Sequence, residues 1–181
     1  MARNTLSRSL HDVGLAAWFG GTLANAVALN PAAARAGDDQ ATGDVANTGW
    51  DRWTPVNAVA IGAHLIGSLG QLRANSDRVA GQQGVGTMST AKTLLTVAAL
   101  GVTGYSRVLG QRVSAAGAPG RSGTKPSKKT RSDAAAAQEQ LDKLQWVIPA
   151  LTGALVAVSS YAGEQQRPSE VLPGLAATSR S

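Results

Sequence analysis

Residues 13–34, VGLAAWFGGTLANAVALNPAAA, hold no Lys, Arg, Asp or Glu. An ionised side chain at the centre of a membrane helix costs about 2.5–3.5 kcal/mol even on lenient insertion scales, so a run this long without one can cover the ~30 Å of a hydrocarbon core as an α-helix. Residues 53–72 and 144–163 are charge-free in the same way, and residues 93–106 form a shorter charge-free block between Lys92 and Arg107. Both of those side chains can snorkel to opposite surfaces, which extends the block to a span of about 90–109. The pattern predicts an all-α, integral membrane four-helix bundle with spans near 12–30, 55–72, 90–109 and 144–163. A long basic loop separates the third span from the fourth.

The block edges agree with a bilayer. Trp50 and Trp53 precede the second block, Trp146 opens the fourth and Tyr161 stands near its end, positions where amphipathic aromatics favour the interface. Thr54-Pro55 reads as a helix start and Asn30-Pro31 as a helix end. The soluble alternative, a bundle that is apolar all round because it is buried, needs large aliphatic side chains to gain burial energy. The blocks are instead rich in Ala and Gly, with small residues four apart at Ala17 and Gly21, Gly20 and Ala24, Ala63 and Gly67, Ala150 and Ala154, and Gly153 and Ala157. Such spacing lets membrane helices approach closely, whereas in water the same glycines mostly destabilise a helix.

Composition narrows the function classes. The chain has no Cys, hence no disulfide framework, thiolate metal site or thiol nucleophile. The net charge of +6 is concentrated in Arg121, Lys125, Lys128, Lys129 and Arg131, between apolar blocks. With one Phe and two Tyr in the chain there is no stacking surface for bases, so no nucleic-acid partner is expected. Arg3 and Arg8 before an apolar run imitate a signal peptide, but the run is longer than a signal core and more spans follow, which favours an uncleaved first span.

Residues 1–167 read as one membrane domain. Within it, 31–49 reads as an irregular loop, 113–132 as a flexible basic linker rich in Gly, Pro and Ser, and Ser132-Asp133 as the start of the last helix. Residues 168–181 read as a disordered tail. Four spans put the acidic first loop (Asp38, Asp39, Asp44, Asp51) and the basic third loop on one side, an apparent conflict for orientation. The basic loop favours a cytoplasmic third loop with both termini outside.

Within the spans, Asn57, His64, Ser68 and Gln71 share one face of the second helix. Thr93, Thr96 and Thr103 share a face of the third, and Gln145, Thr152 and Ser159 a face of the fourth. These stripes read as interhelical hydrogen bonds or, alternatively, as a polar ligand path. His64 is the one ionisable residue deep in a charge-free block, and His11 stands beside Asp12, which can orient its ring. Two histidines on different helices raise a haem or copper site. In antiparallel helices, however, His11 sits near one surface and His64 about nine residues inside its own helix, depths that need not meet, and with Met only at positions 1 and 88 a soft copper site is poorly supplied. No committed cofactor or metal follows. No hydrolase, nucleotide-loop or zinc-protease motif occurs, Gly81, Gly84 and Gly86 lack the preceding strand of a dinucleotide loop, and no acidic residue lies inside a span, so no enzymatic activity is expected.

The stretch His11-Asp-Val-Gly-Leu-Ala-Ala-Trp18-Phe-Gly20-Gly21 resembles the opening helix of copper-resistance D-like membrane proteins, and of some small uncharacterised membrane families. The resemblance implies a bundle handling copper at the membrane, with His11 alone carried over as a ligand. The high Ala, Gly and Arg usage is similar to that of GC-rich actinobacterial proteins. The expected function is that of a non-enzymatic, multi-pass protein of the bacterial inner membrane, a structural or accessory subunit of a membrane complex or an envelope-homeostasis factor. Its basic loop is expected to contact anionic lipid. Transport or binding of a small solute or metal through the polar stripes is the alternative.

Overall fold

A computed structural model of the chain describes residues 4–76 and 85–164. The tail expected over 168–181, together with Gly81 and Gly84, lies outside these residues, and Gly86 falls in the first turn of a helix. Among the described residues there are four long helices and one isolated β-bridge, Gly120 to Pro126. We label the helices α1 (Thr5–Ala33), α2 (Asp39–Ala74), α3 (Val85–Ala115) and α4 (Ser132–Glu164).

Each helix outruns the span expected for it, for local reasons. In α1, Asn30-Pro31 does not end the helix. Residues Asn25–Leu29 widen into a π-helical turn, with the Asn30 N–H reaching the Asn25 carbonyl, just before Pro31, whose ring would crowd the Val27 carbonyl and which has no N–H to give it. The region 31–49, expected as a loop, is mostly helix. Gly37 turns the chain at φ +104°, and Asp38 caps α2 by accepting from the Ala41 N–H at 2.8 Å, with Asp39 in the first turn complementing the helix dipole. Thr54-Pro55 is therefore not a helix start but lies inside α2. Helix α4 does begin at Ser132 and carries Pro149 within it.

Three helices, α1, α3 and α4, are long and apolar enough to cross a membrane. The short 93–106 block is thus part of a candidate span, while the charge-free 53–72 block is not. The reason is that freedom from charge is not apolarity: Asn57, His64, Ser68 and Gln71 dilute α2 where Leu94, Leu95, Val97 and Leu100 enrich α3.

The helices pair as two antiparallel hairpins. Helix α1 packs along α2 and α3 along α4, with α1 also meeting α4, whereas α2 and α3 barely touch. A cleft runs between those two helices. At 36 residues α2 is about 54 Å long, well beyond a hydrocarbon core, and its first turns join the start of α4 and the end of α3 in a separate head. The head has its own apolar core of Leu109, Val113, Ala118, Ala134 and Ala137.

The 113–132 stretch, read from composition as a flexible linker, belongs to that head. Helix α3 occupies it as far as Ala115, and the remainder is tied down across the fold: the Gly120 N–H donates to the Asp39 carbonyl at 2.9 Å, the Gly123 N–H to the Asn30 carbonyl at 3.2 Å, and the Thr124 hydroxyl to Asp142 at 2.7 Å. Those contacts place the acidic 31–53 region and the basic third loop side by side, and Arg107 pairs with Asp51 at 2.9 Å. The acidic and basic regions thus meet at one end of the helices, joined by that ion pair.

Outside the head the interior is mixed, with Leu15, Trp18, Ile148 and Leu155 buried together with polar side chains, while aliphatic side chains are also exposed. His11, Thr22, Asn57, His64 and Thr152 are buried, while Val59 is 73%, Ile66 63%, Leu94 66% and Val97 61% exposed.

Candidate functional site

The α1–α2 crossing is a backbone-to-backbone contact made by two glycines. A Cβ on Gly67 would overlap the His11 N and stand 2.5 Å from the Ser7 carbonyl, and a Cβ on Gly14 would overlap the Ala60 carbonyl and stand 2.5 Å from the His64 N. Each histidine therefore sits opposite the glycine of the partner helix. At so close an approach the two imidazoles meet, with ring centroids 4.6 Å apart and planes inclined at 45°. Both side chains are fully buried.

The depth argument drawn from the sequence fails because α1 begins at Thr5 and not near residue 12, which puts His11 inside the helix, while α2 runs antiparallel to it. The C-terminal turns of α2 pair with the first turns of α1, so His64, ten residues before Ala74, comes level with His11, six residues after Thr5. Trp18 lies two turns along α1 from His11 on the same face. Its ring is 6.1 Å from that of His64, and its Nε1–H donates to the Thr103 hydroxyl at 3.3 Å, linking the pair to α3.

Hydrogen bonding sets the tautomers. The Nδ1–H of His11 donates to the Asp12 carboxylate at 2.7 Å, and the Nδ1–H of His64 faces the His11 carbonyl at 3.4 Å. Neither acceptor can donate, so each neutral ring keeps its proton on Nδ1 and presents a lone pair at Nε2. Both Nε2 atoms are buried without a partner among the described residues. The charges that reach the pair are those of Asp12, Lys92 and Arg8.

Each of the two lone pairs can accept one hydrogen bond. They do not suit haem. Two imidazoles on opposite faces of one iron would hold their centroids about 6 Å apart, given metal–nitrogen bonds of about 2 Å, and 4.6 Å is too close. Among the described residues no group of three His, Cys, Asp or Glu gathers around a common point.

The other stripe residues are placed differently. Asn57 is buried, but Ser68 returns its hydroxyl to the His64 carbonyl of its own helix at 2.8 Å, and the Gln71 amide nitrogen is buried without a partner among the described residues. Thr93, Thr96 and Thr152 likewise bond carbonyls one turn back in their own helices, and the Ser159 hydroxyl has no partner among the described residues.

The residue that organises the polar interior went unnoticed in the sequence. Asn30, 2% exposed, donates its amide to Gln145 of α4 at 2.8 Å, accepts from the Trp50 indole of α2 at 3.0 Å, and receives the loop at its own carbonyl. Gln145 continues to Thr124 and Asp142. Asn30 next to Pro31 imitates a helix terminator, and the usable signal was only that an amide sits in an apolar block.

No protein-family model matches the chain, and no curated protein or solved structure matches it.

Proposed function

We propose that this chain is a non-enzymatic, multi-pass protein of the bacterial inner membrane, acting as a structural or accessory subunit of a membrane complex. Three long apolar helices with exposed aliphatic faces carry this reading. Contiguous exposed aliphatic faces are costly in water, whereas a bilayer takes them as its contact surface and leaves polar groups to be satisfied between helices. In this reading α2 crosses too, its polar face shielded by α1 and its Val56, Val59, Ile66 and Leu69 face turned to lipid.

The accessory role is favoured by glycines that pack on nothing. A Cβ at Gly20, Gly62 or Gly101 would meet no atom within 4 Å, although Gly costs a helix about 1 kcal/mol relative to Ala. A helix of another chain docked on such a face offsets that cost through close approach. The exposed Arg121, Lys125, Lys128, Lys129 and Arg131 in the head supply contacts to anionic lipid. Co-purification of a partner in mild detergent is expected, and a clean monomer across several detergents contradicts the role. Topology reporters at 45 and 125 should report the cytoplasm, with reporters at 82 and 175 outside.

The unpartnered Nε2 atoms favour a second reading, binding of a small solute or of copper between α1 and α2. Titration of the purified protein with Cu(I) against a competing chelator tests it. Stoichiometric retention lost in His64→Ala supports the reading, and a protein that takes up no copper sinks it.

A further inference from the structure

The cleft between α2 and α3 is widest at the end away from the head, where it holds a cavity of about 460 Å³. Leu65, Leu69 and Leu72, on one face of α2, form one wall, and Met88, Val97 and Leu100 of α3 form the other. Leu69, Leu72 and Val97 are exposed, so the chain itself leaves these walls uncovered. Lys92 is the one charged residue in the lining among the described residues, and it is half-buried. No described carboxylate stands within ion-pair distance of it. The charges that reach it are those of Asp12, already paired with His11 at 2.7 Å, and of Arg8, which repels it. A cation at membrane depth is costly until it is paired.

Charge and shape together define the occupant. Ser89 stands three residues before Lys92 on the same face of α3 and also lines the cavity, so an ammonium and a hydroxyl can both donate to one carboxylate. The remaining wall is mostly aliphatic and runs along the helices. Beyond Leu100 the cleft continues as a smaller cavity that begins at Thr103. From Lys92 to Thr103 is about 16 Å of helix, close to half of a ~30 Å hydrocarbon core and hence to the reach of one acyl chain. At about 30 Å³ for each water-sized group, the larger cavity holds roughly fifteen such groups, enough for one chain and too few for the two of a phospholipid. We infer that this cleft binds one long-chain fatty acid, its carboxylate on Lys92 and Ser89 and its chain between Leu65 and Leu100 toward the head. The inference rests on the bilayer reading, since such a ligand reaches the cleft sideways from lipid where α2 and α3 barely touch.

Native mass spectrometry of the full-length protein, released from micelles titrated with palmitate, counts bound chains directly. One palmitate should bind and saturate, whereas hexadecanol, the same chain without the charge, should bind at least tenfold more weakly. Lys92→Gln should weaken palmitate about tenfold to a hundredfold, the equivalent of one hydrogen bond to a charged group, and Lys92→Arg should restore it. Leu100→Trp, which fills the apolar part of the cleft, should abolish the adduct with the helical signal in circular dichroism intact. Absence of a saturating adduct in the unmodified protein overturns the proposal. So does equal binding of hexadecanol, equal displacement by phosphatidylglycerol, or an affinity unchanged in both Lys92→Gln and Leu100→Trp. Flotation with phospholipid vesicles tests the bilayer reading separately: protein that floats but takes up no palmitate loses the site and keeps the membrane, and protein that does not float loses the bilayer reading itself.

Discussion

Replacing Gly67 by Ala tests whether the α1–α2 contact is as close as described. The added Cβ would stand 2.5 Å from the Ser7 carbonyl and 2.8 Å from the His11 Cα, where ordinary contact begins at 3.4 Å. All of these neighbours are backbone or Cα atoms, so no side chain can swing aside, and the helices must part by about 1 Å, at an overpacking cost of about 1–3 kcal/mol. A gap of that size also forfeits a quarter to a half of the dispersion energy of the pairs it separates. The control is Gly62→Ala in the same helix, where the Cβ meets no atom within 4 Å and the change gains up to about 1 kcal/mol of helix propensity. Subtracting the control removes propensity and leaves packing. Unfolding followed by far-ultraviolet circular dichroism, as micelles are titrated with SDS, should place Gly67→Ala about 1–3 kcal/mol below Gly62→Ala. Equal stability of the two variants would refute the close crossing, and with it the reason the imidazoles meet.

Asn30→Ala removes the acceptor of the Trp50 indole and the donor to Gln145 together. With two buried partners orphaned, thermal unfolding in micelles should show a loss of about 2–4 kcal/mol, and a loss below about 0.5 kcal/mol would remove Asn30 from the centre of the polar network. Replacing Lys125, Lys128 and Lys129 together by Gln should leave the melting temperature in zwitterionic lipid unchanged but cut the gain conferred by anionic lipid by more than half, each charge contributing about 1 kcal/mol at the surface and Arg121 and Arg131 remaining. If the gain persists in the triple variant, the head does not engage lipid through this loop.

Helix placement was largely legible from charge-free blocks, because charge is what a long apolar helix excludes first. Their ranking was not. Block 93–106 looked weakest because it is short, yet it is rich in Leu and Val, while 53–72 looked strong although Asn57, His64, Ser68 and Gln71 lower its apolarity. Such a stripe is visible as a stripe, but what it faces depends on a neighbouring helix. The histidine pair was hidden for the same reason. Its register is set by Asp38 capping α2 far upstream of Pro55 and by the glycines at the crossing, and neither bears on residue 64 locally. The head was hidden because Gly, Pro, Ser and Lys also compose flexible linkers, and the hydrogen bonds that order this loop reach back to Asn30 and Asp39, remote in sequence.

The absence of cysteine makes single-cysteine spin labels free of background, and they test bilayer residence directly. Labels at Val59, Ile66 and Leu94, all exposed and aliphatic, in protein reconstituted into phospholipid vesicles, should be relaxed strongly by oxygen and weakly by a water-soluble nickel chelate. A label at Lys128 in the head should show the reverse. Strong relaxation by the nickel chelate at positions 59 and 66 would place that face of α2 in water and contradict the account.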